Sequence, residues 1–557
     1  MQEVTWQSVV PQFSHVEQHI ENYASIDAVA PSALQPRLKN SIQRLVHESH
    51  FPRLLLVTAA DVHDYFTLTE KMVVDHLPKP DMPVVIAENF DETQLFGAVY
   101  PNNDSVTTSQ KMEGLLHKAN GGVLIISLTG IISQANIWNR LKNVIATKTL
   151  HWKSAKRDTY CELPHPETIS VSVIVIGDRG LMADFASGEP ELHGIASYCE
   201  YEQDIHLSEE NIDTYLAVVK GFQQQFGVKP LTTGAIKRFM QAGARHAEDQ
   251  ERMPLCPLWV QTILREADYQ SLTDVITDED LDAAISAKYF RESYLPLRAV
   301  DDIHKGQVFI DTEGEHIGQV NGLTVVEMPG HPMAYGEPAR ISCVVHFGDG
   351  DIADVERKAE LGGNIHAKGM MIMQAFVSAA LDLDEPLPYS ASIVFEQSYC
   401  EVDGDSASLA ELCAFVSALS QQPINQSIAI TGAVDQFGRV QAVGGINEKI
   451  EGFYHICEHR GLSGSQGVIL PMTNLNALCL SKDVTEAIRD GKFNIWAVEN
   501  VEEAFPLITG VPFSGEEDDE ETETLLDKIA LRIELFHHGE HRHTSLINKL
   551  KNMFSRH

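Results

Sequence analysis

Residues 430–453 read ITGAVDQFGRVQAVGGINEKIEGF. ITGAV is short, apolar and rich in strand formers, DQFG carries turn residues, and RVQAV begins a second strand pattern. The Gly-Gly pair breaks it, and Ile446, Ile450, Phe453 and Cys457 then recur at helical spacing, so the stretch predicts strand, turn, strand, turn and helix. Lys449 lies beside the apolar face of that helix. A lysine buried against apolar neighbours loses ammonium solvation, and its pKa falls until the neutral amine can accept a proton. Taken alone, Lys449 reads first as a surface residue whose stem runs along apolar neighbours while its charge stays in water.

Upstream, residues 401–412 read EVDGDSASLAEL. Leu409, Leu412, Cys413, Val416 and Leu419 mark one face of a helix, which places Ser406 at its first turn. Backbone N–H groups there lack intrahelical partners and suit a developing oxyanion. Without further context, Ser406 or Asp405 reads as a plain helix N-cap.

The chain is 557 residues long with 43% apolar residues, enough for two to four globular domains. No run approaches the roughly 18 apolar residues of a membrane span, and the N-terminal segment lacks the pattern of a signal peptide, so a soluble cytoplasmic protein is expected. The formal charge of −37 disfavours nonspecific binding to nucleic acid. Eight cysteines at 161, 199, 256, 343, 400, 413, 457 and 479 form no CxxC pair and are expected as buried thiols.

The architecture expected is multidomain α/β. Short buried-strand patterns at 50–60, 121–128 and 170–180 alternate with helical ones over 1–207, which indicates a parallel sheet. Three helical segments over 208–295, with Ser208 and Thr232 as caps, suggest a small helical domain. From 296 to 510 the strand patterns QVFIDT, HIGQVNGLTVVEM, ARISCVVHFG, ASIVFEQSY, QSIAITGAV and GVILPM surround two helices, giving an α+β domain. Residues 511–557 hold the acidic run GEEDDEETE and an amphipathic helix with Leu525, Ile529, Ile533 and Phe536 on one face.

FEQSY (395–399), DGDSAS (403–408), the 430–453 stretch and GVILP (467–471) together resemble the proteolytic domain of Lon peptidases. GQVNGLTV (318–325) and ERKAELGGNIHAKG (356–369) extend the resemblance upstream. It implies a Ser–Lys dyad, with Ser406 as nucleophile, Lys449 as general base and Thr431 hydrogen-bonded to the lysine amine. Asp405 resembles the archaeal-type subgroup, and its carboxylate is a candidate to hold Lys449 protonated.

Lon peptidases couple this domain to an AAA+ ATPase, so residues 50–295 are expected to carry phosphate-binding machinery. A P-loop requires GxxxxGK[ST], and the corresponding stretch here is TAADVHDYFT. HKANGGVLIISLTG (117–130) resembles the segment leading into a Walker B strand, with Ser127 and Leu128 replacing the acidic pair. LFGAVYP (95–101) and IGDRG (176–180) remain as AAA+ landmarks, and Arg245 sits where the lid offers an arginine. The expectation is a degenerate AAA+ domain with a helical lid, a Lon-type proteolytic domain, no cofactor and no ATP or Mg²⁺ binding. Expected partners are unfolded or short polypeptides and other copies of the chain in a hexameric ring. HHGEHRH (537–543) reads as an adventitious metal binder, FGDGD (347–351) as a hairpin turn, GLSGSQG (461–467) as a helix stop, and His366 as a structural histidine or a neighbour of the cleft.

Overall fold

The computed structural model describes residues 1–47, 53–101, 109–156, 162–348, 352–358, 362–381, 389–397, 404–515 and 523–534. The tail histidines, Phe536, most of the acidic run, Cys161, Cys400 and part of FGDGD lie outside them. Two compact units are present: one comprises residues 15–238 and 253–284, the other 1–14, 239–252 and 285–557. The six described cysteines are free thiols, all buried except the half-buried Cys256.

The first strand, β1 (Gln2–Glu3), pairs antiparallel with residues 496–497 and so belongs to the second unit, although the sequence pattern grouped it with the first domain. A two-residue strand has no periodicity to read.

In the first unit, β2 (Leu54–Thr58) is followed by α1 (His63–Asp75), β3 (Val84–Ala87), β4 (Val123–Ser127), β5 (Ser172–Gly177) and β6 (Ser197–Glu200). They form an all-parallel sheet in the order β6-β2-β5-β4-β3. Leu54, Leu56, Leu124, Ile126, Val173 and Val175 enter the core on one face, while Leu55, Val57, Val123, Ile125, Ile174 and Ile176 enter that on the other. Burial on both faces explains why these strands are continuous apolar runs. β3 and β6 escaped the sequence reading because each is only four residues long and partly exposed.

The expected helices appear as Ile212–Phe226, α2 (Thr233–Ala247) and Asp278–Glu292, with two more at Pro257–Gln270 and Tyr294–His304. Thr232 Oγ1 accepts from the N–H of Ala235 and caps α2 as anticipated. Ser208 does not cap its helix, because the chain makes a further turn and Asn211 takes that position.

The second unit contains β7 (Gln319–Val326), β8 (Tyr335–Phe347), β9 (Ile352–Asp354), α3 (Asn364–Ala380), β10 (Tyr389–Phe395), α4 (Ser408–Ser420), β11 (Ile428–Ile430), β12 (Ala433–Val434), β13 (Val440–Gln441), α5 (Ile446–Arg460), β14 (Gly467–Pro471) and β15 (Asn494–Val498). Eight strands form one mixed sheet in the order β1-β15-β14-β11-β7-β8-β10-β9, and β12 and β13 make a separate hairpin. QVFIDT (307–312) is irregular instead of a strand, and its Arg460 contact on Ile310 O replaces ladder bonding.

Successive residues along β11 again serve two cores. Ile428 and Ile430 pack with Leu409, Leu412 and Val416 of α4, whereas Ala429 packs with Ile446, Ile450 and Phe453 of α5. The period-2 alternation of a strand therefore puts α4 and α5 on opposite faces of the same sheet. Residue 431, just beyond the strand, is where the two helix starts can meet. Leu525, Ile529 and Ile533 of the helical tail 525–534 are buried in the α4-side core, as the amphipathic pattern indicated. Arg532 in that tail donates to the carbonyls of Ala418 and Leu419 at 2.5 and 2.7 Å, capping the C-terminal end of α4.

Candidate active site

Ser406 lies in the turn just before α4, which begins at Ser408, two residues later than the sequence pattern suggested. The difference comes from local bonding. Ser408 turns back, donating from both its N–H and its hydroxyl to Asp405 O, and that hydroxyl accepts from the N–H of Val434. The N–H of Leu409 is taken by Gly432 O. Ser406 is thus held outside the helix while its carbonyl accepts from the N–H of Gly432 at 2.9 Å.

Lys449 is in the first turn of α5 and only 2% exposed. Two features place it there. Gly445 occupies the N-cap with φ +61°, a conformation costly for other residues, and so permits the abrupt turn into α5. Gly336 of β8 lets the helix approach closely, since a Cβ there would come within 2.0 Å of Glu448 O.

Thr431 joins the two halves. Its hydroxyl donates to Ser406 O at 3.2 Å and accepts from Lys449 Nζ at 3.2 Å, and the residue is wholly buried. Burial pulls the Lys449 ammonium down to about 8, against an opposing upward pull from Asp405. The three residues Ser406, Thr431 and Lys449 are therefore brought together, with Asp405 acting on the lysine through its charge.

His366 does not join them. It is buried beside Glu411, 3.6 Å away, and meets the Phe395 ring edge-on. GLSGSQG is a helix stop and turn leading into β14. Arg245 forms ion pairs with Glu448 and Glu451 of α5, so its guanidinium is engaged within the second unit.

In the first unit, the β2–α1 connection replaces a phosphate loop with a carboxylate. Asp61 Oδ2 accepts from Ser127 Oγ at 2.7 Å, Thr129 Oγ1 at 2.6 Å and Thr129 N at 3.1 Å. These residues, with Glu88, Asn89 and Phe90, line a cavity of about 300 Å³. A triphosphate needs converging N–H donors and cations, whereas this wall presents two carboxylates and no lysine, so the residues do not fit it. Asp61 was missed in the sequence because its partners lie about seventy positions downstream and no local spacing marks them.

Comparison with known proteins matches three segments of the chain. Residues 80–195 match the family model "LonB-like, AAA domain", 230–291 match "Archaeal LonB, AAA+ ATPase LID domain", and 391–508 match "Lon protease (S16) C-terminal proteolytic domain". A Lon protease homolog of Escherichia coli strain K12 is 39% identical over 560 residues, covering 95% of each chain. Another from Haemophilus influenzae is 44% identical over 451 residues, 80% of this chain and 74% of its own. The archaeal Lon protease of Pyrococcus abyssi is 31% identical over 208 residues, 36% of this chain and 18% of its own. With an AAA-like domain, a lid and a proteolytic domain in that order, the chain belongs to the Lon protease family.

Proposed function

We propose that the protein is a serine endopeptidase that cleaves unfolded or short polypeptides through Ser406 and Lys449 without hydrolysing ATP. The observation that carries this reading is the Thr431 hydroxyl, shared between Ser406 O and the amine of a buried lysine. Neutral Lys449 takes the Ser406 hydroxyl proton as the oxygen attacks a peptide carbonyl, then returns it to the leaving amine. Water clears the acyl-enzyme by the same route. Because the N–H groups of Ser408 and Leu409 already have acceptors, stabilisation of the oxyanion falls to the N–H groups at 406 and 407.

The nucleotide side supports a passive enzyme. Asp61 and Glu88 would repel a triphosphate, and Ser127 cannot hold Mg²⁺ as a Walker B carboxylate does. The first unit then serves as a ring-forming and screening element in a hexamer, and substrates must arrive already unfolded. The strongly negative charge favours basic chains. Among the described residues no helix is long and apolar enough to cross a membrane, and a cytoplasmic location is part of the proposal.

The test is cleavage of a quenched unfolded polypeptide by wild type and Ser406→Ala, each with and without ATP and Mg²⁺. Wild type is expected to cleave equally in both conditions and Ser406→Ala in neither. Equal activity of the two proteins would overturn the peptidase assignment to Ser406, and strong stimulation by ATP would overturn the passive reading.

A further inference from the structure

Lys449 has neighbours on α5 that face the other way. At 100° per residue, Asn447 and Glu451 lie about 160° around the helix from Lys449 and Glu448 about 100°, so all three turn away from it. All three are held by the chain outside. Asn447 accepts from the N–H of Cys479 at 2.7 Å and donates to Ala477 O at 2.8 Å. Glu451 Oε1 accepts from the N–H of Ser481 at 2.8 Å.

The strongest grip comes from Arg245 in the last turn of α2. Its Nη1 donates to Glu451 Oε1 at 2.7 Å and to Cys479 O at 2.9 Å, and its Nη2 donates to Glu448 Oε1 at 2.7 Å and Glu451 Oε2 at 2.9 Å. Every bond is charge-assisted or planar-fork geometry, which a lysine cannot reproduce. The side chains are 28, 19 and 18% exposed, shielded enough that screening by water and salt is reduced. The following residues fasten the arginine's own backbone. Gln250 donates to Leu478 O and Ser8 O, its N–H donates to Asn476 O, and Asn476 donates to Asp249.

Ile446, Ile450 and Phe453 seat α5 in the core on one side. Gly336 and Gly452 meet backbone to backbone across β8 and α5, a contact without side-chain interlocking. The polar clamp adds charge-assisted bonds to Glu448 and Glu451, next to the residue whose amine donates to Thr431.

We propose that Arg245 is a positioning residue for peptide cleavage: by holding Glu448 and Glu451 it fixes the first turn of α5 and so keeps Lys449 aimed at Thr431 and Ser406. A residue in the segment matched by the lid model is thereby assigned to the peptidase instead of to nucleotide. The proposal rests on the Ser406–Lys449 reading for its catalytic consequence, but not for the clamp itself.

The experiment uses full-length wild type, Arg245→Met and Arg245→Lys, with two readouts. One is hydrogen exchange of the amides at 446–452, and the other is kcat and KM on a quenched unfolded polypeptide. For Arg245→Met, exchange at 446–452 is expected to quicken and kcat to fall by about tenfold or more with KM little changed, since small misplacement of a catalytic group is enough. Arg245→Lys, which restores charge without the fork, is expected to fall between. Should Arg245→Met not fold, Arg245→Lys and Glu451→Gln carry the same comparison.

Wild-type exchange together with wild-type kcat in a folded Arg245→Met would overturn the proposal. So would faster exchange with kcat unchanged, or a loss confined to KM. If wild type cleaves nothing while Arg245→Met loosens 446–452, the clamp stands and the Ser406–Lys449 reading is what fails.

Discussion

Lys449→Met is expected to lower kcat/KM by about 10²- to 10⁴-fold, the range associated with loss of a positioned general base, while making the protein more stable at neutral pH. Both effects follow from one observation, a lysine only 2% exposed whose ammonium is brought from 10.5 down to about 8. The unfolded chain binds a proton on this lysine up to about 10.5, whereas the folded chain releases it above about 8. Between these values the unfolded state holds more protons, so stability rises with pH, and the full cost of the buried charge is present below about 8. That cost is roughly 3 kcal/mol. Methionine fills similar volume without charge, so urea denaturation at pH 7 is expected to show a gain of that order that disappears above about 10.5. Unchanged activity would remove Lys449 from the mechanism, and unchanged stability would contradict its burial as an ammonium.

Gly336→Ala is the second large effect. A Cβ at 336 would lie 2.0 Å from Glu448 O, 2.4 Å from Glu448 C and 2.7 Å from Lys449 Cα. All are backbone atoms, which cannot rotate away. The first turn of α5 must move off β8, taking Lys449 from Thr431. Overpacking of this kind costs about 1–3 kcal/mol or more, and a shift near 1 Å can cost about 10²-fold in rate. A folded Gly336→Ala with wild-type kcat would show that the close approach of α5 to β8 does not set the lysine's position.

The local order of elements in the second unit was legible where period and length were clear. In the 430–453 stretch the expected first strand is broken at Thr431–Gly432 into β11 and β12, whereas the turn, β13 and α5 follow in the expected order and Ile446, Ile450, Phe453 and Cys457 are all buried. What could not be read was pairing across distance. Nothing local shows that α4 and α5 take opposite faces of one sheet, that β1 pairs with β15, or that Asp61 accepts from Ser127 and Thr129. Gly336 carried no signal of close backbone approach, because it lies between the strand patterns at 316–328 and 339–348, whereas β8 begins at Tyr335. The start of α4 was placed too early because Asp405 O captures the Ser408 N–H and hydroxyl, a local bond that competes with the helix.

That Thr431 meets Ser406 and Lys449 agrees with what the family resemblance implied, but the balance between burial and the Asp405 charge at Lys449 was not legible. Asp405 was expected to hold Lys449 protonated. It raises the lysine's pKa, while burial lowers it by more, to about 8, so the amine is still mostly protonated at pH 7.

The dependence of kcat/KM on pH, measured for wild type and Asp405→Asn on a quenched unfolded polypeptide, tests the lysine-base account most directly. Wild type is predicted to rise tenfold per pH unit and level off above about 8, where Lys449 is neutral. Asp405→Asn removes the charge that raises the lysine's pKa, so its limb is predicted at lower pH, with higher activity at pH 7. A wild-type limb at about 6.5, the ordinary histidine range, and unmoved by Asp405→Asn, would contradict Lys449 as the base.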